Sequence, residues 1–435
     1  MTEFLQGRVE DLTHDGSGVV KVNEKVYFVD KVLPEELITF QSGKKRKGKY
    51  QGVLEKILEP STKRVEPECQ YFGICGGCAL QHFDQTAQII HKQKILEDAF
   101  TRIGRVTLKN RLNSITGSVF HYRRKARLGV KLVPKKGGIL VGFRERKSSF
   151  ITSLQACKTL DKRISDLLPA LHQLISQLEN NHQIPQLEVA AGDFAVSIVV
   201  RHLCPLSEKD KGLLRSFADE NKINIFVQSG GLDTVIPLRP ENPEDLEFSL
   251  DKFDLSLRFS PIDFVQVNAD INQKMVEAVI DYLELDQSDQ VLDLFCGLGN
   301  FTLAISKFAK HTLGIEGNAG LVQRAIENAQ LNKIKNVEFQ IGNLFEKPNA
   351  SIVKGRIFNK VLIDPPRSGA IEVVTNLIPL LKPEKIVYVS CNPATLARDA
   401  SIIVHEQGYE LGSAGIINMF PHTAHVESIA IFNKR

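Results

Sequence analysis

The chain has 435 residues, too many for one ordinary core and enough for two or three domains. Hydrophobic residues at 43% and charged residues at 24% are an ordinary globular balance; no apolar run reaches the roughly 20 residues that span a bilayer, and Met1–Arg8 lacks a basic-then-apolar secretory start. These features point to a cytoplasmic protein away from membranes, and seven cysteines without a secretory signal favour metal binding or catalysis over a disulfide framework.

The net charge of +4 is mild but unevenly spread. Between Thr101 and Phe150 stand 14 Lys/Arg against a single acid, Glu145, and the run Lys44-Lys45-Arg46-Lys47-Gly48-Lys49 holds five basic residues in six. Two such concentrations on a near-neutral chain favour a polyanionic partner, nucleic acid first. Residues 1–58 read as a small β-barrel, with Gly16-Ser17-Gly18 and Asn23-Glu24 as turns between the alternating segments Gly18–Val22 and Lys25–Val29. Barrels of this OB-like kind present a groove to single-stranded RNA, and the pattern is similar to the TRAM module of RNA-modifying enzymes.

Residues 59–258 read as a central α/β domain. Cys69, Cys75 and Cys78 fall within ten residues, with Gly76-Gly77 between the last two, so the loop is free to wrap an ion. Thiolates suit zinc or an iron–sulfur cluster; Cys157 or Cys204 is available as a fourth ligand, and His82 as a substitute for one thiolate. A helix is expected over 83–102, its face formed by Ile89, Ile90, Ile95, Leu96, Ala99 and Phe100. Tyr122–Val130 reads as a strand with cationic side chains alternating outward. A helix over 160–178 and strands within 187–200 and 223–228 complete what looks like scaffold.

From about Pro261 strands and helices alternate, and 259–435 read as a Rossmann-like domain. Val291–Phe301 is an apolar strand running into Gly297-Leu298-Gly299 and then a helix, and the next strand, His311–Ile315, ends at Glu316. Glycines let the backbone approach a nucleoside, and an acid at the second strand end accepts ribose hydroxyls. A dinucleotide fingerprint wants a third glycine where Thr302 stands, so a single adenosyl group suits the turn better. Asp364-Pro365-Pro366-Arg367 holds an acid at another strand end, because the prolines forbid a helix there. Finally Ile386–Ser390 delivers Cys391 to the point where Asn392-Pro393 turns the backbone out of the strand.

In order along the chain stand the Cys69, Cys75, Cys78 cluster, Asp263–Asn268, Asp293–Phe301, Asp364–Arg367, Ser390–Asp399 and His425–Ser428. As a set they resemble the uracil-C5 RNA methyltransferases, in the branch that combines a barrel and a cysteine cluster and acts on 23S ribosomal RNA. The resemblance implies a multidomain α+β and α/β architecture ending in a class I methyltransferase domain, acting as a monomer with 23S ribosomal RNA as partner and no membrane. It implies S-adenosylmethionine as methyl donor, held by Gln266, Phe295, Asn300, Glu316, Asn343 and Asp364, with Glu316 on the ribose. Cys391 would be the nucleophile that adds to C6 of uracil, and Glu427 the base that removes H5. Phe264 and Arg127 would hold a flipped nucleotide. A [4Fe-4S] cluster on Cys69, Cys75, Cys78 and Cys157 follows by the same matching, leaving Cys204 and Cys296 structural.

Other readings make different demands. The same chemistry on another ribosomal or transfer RNA uridine would leave these motifs unchanged. An amino-group methyltransferase usually has an aromatic residue where Arg367 stands and has no use for Cys391. A radical methylthiotransferase needs a Cys-x3-Cys-x2-Cys run that is absent, and a non-catalytic ribosomal RNA-binding protein would transfer no methyl group.

Overall fold

Five N-terminal strands close on themselves: β1 (Phe4–Leu12), β2 (Gly18–Val22), β3 (Lys25–Val29), β4 (Leu37–Arg46) and β5 (Lys49–Glu59), joined in the order β1-β2-β3-β5-β4. The computed structural model describes residues 4–46, 48–239, 245–346, 353 and 355–435. Residues 1–3 and Lys47, which the sequence assigns to the barrel and its basic run, lie outside the described residues. Inward-alternating Val9, Val20, Val29, Ile38 and Phe40 fill the barrel. Of the basic run, Lys45 in β4 lies over the Tyr50 ring and Lys49 in β5 over Phe28, at 5.3 and 5.0 Å. Below the barrel, buried Glu36 receives Arg64 Nε at 2.6 Å and the amides of Leu33 and Ser61.

α1 (Gln85–Ala99) and β6 (Asn110–Arg111) precede the central sheet in sequence but pack with the C-terminal one: Leu96, Ala99 and Phe100 share its core, and β6 pairs with its edge. The central sheet comprises β7 (Lys125–Val133), β8 (Gly138–Gly142), β9 (Gln186–Ala191), β10 (Val196–Arg201), β11 (Asn224–Gln228) and β12 (Val235–Pro237), in the order β12-β11-β10-β9-β7-β8. α2 (Lys162–Gln177) and α3 (Glu208–Asn221) share a core with it through Leu168, Leu171 and Leu214. The cationic strand starts later than expected, and its cations divide. Arg124 is buried against Asp193 at 3.1 Å, whereas half-buried Lys125 and exposed Arg127 share Glu188, at 3.4 and 3.1 Å, and Lys131 is exposed. Burying a cation requires a paired acid, so Arg124 is structural.

A hairpin of β13 (Leu246–Leu250) and β14 (Leu255–Phe259) leads into α4 (Ala269–Leu283) and the C-terminal domain. There follow β15 (Gln290–Leu294), α5 (Thr302–Ser306), β16 (His311–Glu316), α6 (Ala319–Leu331), β17 (Val337–Ile341), β18 (Lys360–Ile363), α7 (Ile378–Leu381), β19 (Lys385–Ser390), α8 (Pro393–His405), β20 (Tyr409–Ile417) and β21 (Glu427–Lys434). The sheet order is β17-β16-β15-β18-β19-β21-β20-β6, parallel from β17 to β19 with β21 antiparallel to its neighbours. Strand order reverses between β15 and β18, so the crevice beyond their carboxyl ends is where such a sheet binds ligands.

Candidate active site

Beyond β15 the backbone is bent into rarely used conformations. Phe295 has φ of 66° despite its side chain, and Gly297 and Gly299 have φ of 55° and 96°. The bend is held by Phe295 N donating to Ile315 O at 2.9 Å and by Gly297 N donating to Glu316 Oε2 at 3.2 Å. Asn318 N donates to the other Glu316 oxygen at 2.9 Å. Glu316 is therefore oriented by backbone at the mouth of the crevice. Asp293, one residue inside the strand end, is fully buried and accepts Thr302 Oγ1 at 2.5 Å. Burial, with Asp364 and Glu316 adding negative charge, pushes its carboxyl up to about 8. Thr302 thus stands where a glycine was sought because it holds Asp293.

The remaining expected cofactor residues ring this turn unevenly. Asn300 exchanges two 2.9 Å hydrogen bonds with Asn272, Asn343 accepts Phe345 N at 3.0 Å, and the Phe295 and Phe345 rings lie 5.6 Å apart. Gln266 is half-buried in the link between β14 and α4, where Phe264 is 69% exposed. Asp364 follows β18 directly and donates its amide to Leu294 O at 3.3 Å; burial raises its carboxyl to about 7.

Cys391 follows β19. Asn392 caps α8 by accepting Ala394 N, and Pro393 at the first helical turn supplies a preset φ. α8 also grips the Asp364–Ala370 loop. Asn392 Nδ2 donates to Arg367 O at 3.0 Å, Arg398 Nη2 donates to Ser368 O at 3.0 Å, and Asp399 accepts Ala370 N and Tyr388 OH, each at 2.7 Å. In the antiparallel β19–β21 ladder Ser390 pairs with Ser428, so the next pair outward is Cys391 and Glu427. Four strand ends thereby bring Glu316, Asp364, Cys391 and Glu427 to one edge of the sheet.

A cavity of about 500 Å³ opens over Cys391, Arg367 and His425. Its walls come from the barrel (His14, Asp15), the cysteine loop (Gly76, Gly77) and the central domain (Arg146, Lys147). Burial, then Glu427 and Asp364, push the Cys391 thiol up to about 11 against the opposing pull of Arg367. Burial and Asp364 push Glu427, only 5% exposed, up to about 8, with Arg367 and Lys92 pulling it down. His425, driven to about 4 by burial and then by Arg367, Arg123 and Lys92, is neutral and accepts Arg367 Nη2 at 2.6 Å on Nδ1. Burial and mutual repulsion thus favour the protonated forms of three neighbouring acidic groups, and an arriving positive charge would favour their ionisation.

Arg127 lies outside this cavity. It is 65% exposed, pairs with Glu188 at 3.1 Å, and lines an adjoining cleft with Lys131 and Arg144 that shares Arg146 and Lys147 with the first cavity. Lys92, Arg146, Lys147 and His425 had no assigned role in the sequence. The available signal was a lysine at helical spacing from Leu96 and Ala99, and the basic stretch itself.

Cys69, Cys75, Cys78 and Cys157 line one small cavity with Tyr71, Phe72, Phe143 and Leu154. Burial, with the neighbouring thiols adding to it, raises Cys75 to about 11 and Cys78 to about 12, and Gly77 N donates to Cys75 Sγ at 3.4 Å. Among the described residues, no three His, Cys, Asp or Glu side chains converge as a formed site for a metal ion. Cys204 sits apart beside His202, and Cys296 is buried beneath the β15 turn.

Residues 84–435 match the family described as tRNA (Uracil-5-)-methyltransferase. The chain belongs to this family of uracil-C5 methyltransferases. The match begins at Asp84, the residue that caps α1, so the barrel and cysteine loop precede it. This methyltransferase is 45% identical over 428 residues to the 23S rRNA (uracil(1939)-C(5))-methyltransferase RlmD of Nitrosospira multiformis, covering 98% of each chain. It is 46% identical over 429 residues to the RlmD of Legionella pneumophila, covering 98% of this methyltransferase and 96% of the relative. Its fold is similar to that of the Pyrococcus abyssi tRNA (uracil-54, C5)-methyltransferase in complex with S-adenosyl-L-homocysteine, with a TM-score of 0.77 and 23% identity over 98% of this chain and 100% of that one.

Proposed function

We propose that this enzyme transfers a methyl group from S-adenosylmethionine to C5 of a uridine in 23S ribosomal RNA, the uracil 1939 of its relatives' names, giving 5-methyluridine. The observation that carries the reading is the β19–β21 register, which makes a thiol and a buried carboxyl neighbours at the sheet's ligand-binding edge. C5 of uracil is a weak nucleophile until something adds to C6. In this reading the Cys391 thiolate bonds to C6, and the ring becomes an enolate whose C5 bonds to the methyl carbon as the methyl–sulfonium bond breaks and neutral S-adenosylhomocysteine leaves. Glu427 as carboxylate then takes H5, the C6–S bond breaks, and the thiolate leaves. S-adenosylmethionine supplies the electrophilic methyl and a positive sulfonium.

Phe295, Asn300, Glu316, Asn343, Gln266 and Asp364 are the groups we assign to the adenosyl and methionyl parts, with Asp364 also within reach of the polar edge of the base. The target base must leave its stack, since stacking covers both faces of C6. Phe264 and Arg127 are suited to hold the flipped nucleotide and its neighbour. Arg127, Lys131, Arg144, Arg146 and Lys147 form a basic path from the cleft to the Cys391 cavity, as an RNA backbone requires.

The four thiols around one cavity suit a [4Fe-4S] cluster. Each thiolate of such a cluster binds a different iron, so the ligands surround the group without converging on one point, and the metal charge would ionise thiols that burial now keeps protonated. A cytoplasmic location accords with this substrate; among the described residues no helix is long and apolar enough to cross a membrane. Mass-spectrometric mapping of 5-methyluridine in 23S RNA from cells with and without the gene tests the reading. Loss of one 5-methyluridine at position 1939 is expected, and an unchanged map would refute it.

A further inference from the structure

We propose that Arg367 and His425, at the mouth of the Cys391 cavity, seat a phosphodiester of the target uridine, His425 being a positioning residue that fixes the Arg367 guanidinium without cancelling its charge. The proposal rests on reading an RNA uridine as the substrate and Cys391 as its nucleophile. Arg367 Nη2 lies 2.6 Å from His425 Nδ1 and 3.4 Å from Nε2, and both side chains are exposed on the wall they share with Cys391. The backbone beneath the guanidinium is also fixed. Arg367 O accepts Asn392 Nδ2 at 3.0 Å and Thr395 Oγ1 at 3.3 Å, so the residue after Cys391 grips the residue that carries the guanidinium. On the other side, His425 N donates to Thr423 Oγ1 at 3.2 Å, and its ring centre lies 5.4 Å from that of Phe420.

The kind of partner sets Arg367 apart. Two other cations of the cavity wall, Arg146 and Lys147, share the carboxylate of Asp30 at 3.1 and 2.9 Å. Among the described residues Arg367 has no carboxylate at ion-pair distance, and a neutral ring holds it instead. An arginine can only donate, so the ring nitrogen facing it accepts and the imidazole proton sits on Nε2. The guanidinium therefore keeps its charge and its remaining donors for an incoming anion, and His425 Nε2 adds one more. A phosphate fits this place better than the base does. The base must reach Cys391 and Glu427, and Glu427 is only 5% exposed. A flipped nucleotide swings about its backbone, so its phosphates stay at the solvent edge, where Arg367 and His425 are exposed. Bidentate pairing of guanidinium with phosphate fixes orientation as well as position, and the Asn392 bond ties that position to Cys391.

The test uses the full-length enzyme, S-adenosylmethionine and unmodified 23S RNA, either native or ligated to carry one uncharged methylphosphonate at a phosphate of the target uridine. His425→Leu is expected to raise KM for the RNA about tenfold while kcat and affinity for S-adenosylhomocysteine are kept. His425→Asn supplies another neutral acceptor and should restore most of the loss. His425→Glu still binds the guanidinium but cancels its charge, and it should bind RNA no better than His425→Leu. A methylphosphonate at the seated phosphate should weaken the wild type about tenfold and leave His425→Leu little changed. The methylphosphonate comparison on wild-type enzyme needs no variant to fold. An unchanged KM in His425→Leu, full RNA affinity in His425→Glu, or wild-type indifference to a methylphosphonate at either phosphate would overturn the proposal. So would a loss confined to kcat, which would put the pair to work on the thiol instead. Wild-type enzyme that methylates no uridine of the native RNA would overturn the assigned reaction.

Discussion

Glu427 enters β21 as a carboxyl held largely neutral, and that state has kinetic and thermodynamic consequences. Glu427→Gln is expected to permit thiol addition and methyl transfer but to block removal of H5. A covalent protein–RNA adduct should then persist on denaturing gels, and its absence would remove Glu427 from the reaction. Cys391→Ala is expected to lower transfer by roughly 10³-fold or more while cofactor binding, read by calorimetry, is kept. The pH dependence of stability follows chiefly from Asp293, Asp364 and Glu427, whose folded values of about 8, 7 and 8 lie above the ordinary carboxylate values of 3.8, 3.8 and 4.5. Their stabilisation is full below those ordinary values and is lost as pH rises toward 7 to 8, because ionising them in place is unfavourable. Lys92 acts oppositely, losing stabilisation as pH falls through about 7. The ligand-free enzyme should therefore melt lower at pH 7 than at pH 5.5, and Glu427→Gln should flatten that slope; a slope unchanged by the substitution would contradict the assignment. The identity of these residues was legible in motifs, but their burial was not, because no spacing in the chain reveals what the barrel and α1 cover.

The strand-to-turn signals were readable as elements: Asn392-Pro393 ends β19, and glycines bend the chain after β15. α1 was readable as a helix, and Leu96, Ala99 and Phe100 of its expected face are core, with Ile89 and Ile95 packed against it, but the face is wider and more polar than its apolar residues suggest. Ile90 is 65% exposed, whereas Gln88, Lys92 and Gln93 are buried, because this helix packs on the β20–β21 link and must supply hydrogen-bonding groups to its backbone. Apolar periodicity assumes an apolar partner and fails where the partner is bare peptide. The cysteine loop belongs to the same junction: Ala79 and Leu80 bond to His422, and a Cβ built on Gly16 of the barrel would stand 3.3 Å from each and 3.6 Å from Ala424. Anaerobic purification should yield brown protein with iron and sulfide, and Cys157→Ser should lower both the iron content and the melting temperature. Stoichiometric zinc without iron would exclude the cluster.

At the scale of the whole molecule, the cavity exists because three parts meet over one sheet edge. The barrel is fastened there by Asp30, which takes Lys147 Nζ at 2.9 Å, Arg146 Nη2 at 3.1 Å and Ser17 Oγ at 2.7 Å. Asp30→Ala leaves two cations without their acid and should weaken docking by about 1–3 kcal/mol. The expected result is a several-fold rise in KM for 23S RNA with cofactor affinity unchanged; equal loss of both would argue for general unfolding. The amino-acid sequence alone determined the alternation of strands and helices after Pro261, the turn chemistry at Gly297–Gly299, the cysteine-rich loop and the positions of Asp364, Cys391 and Glu427, because each is written in local residue types and short spacings. Only the tertiary structure decided that Cys391 and Glu427 are cross-strand neighbours, that Lys92 is buried against Asn418 and Phe420 of the β20–β21 link, and that Arg146 and Lys147 complete the cavity wall. Those relations join residues up to hundreds of positions apart, and they follow from strand pairing and domain docking, which arise from many weak contacts that no local pattern encodes.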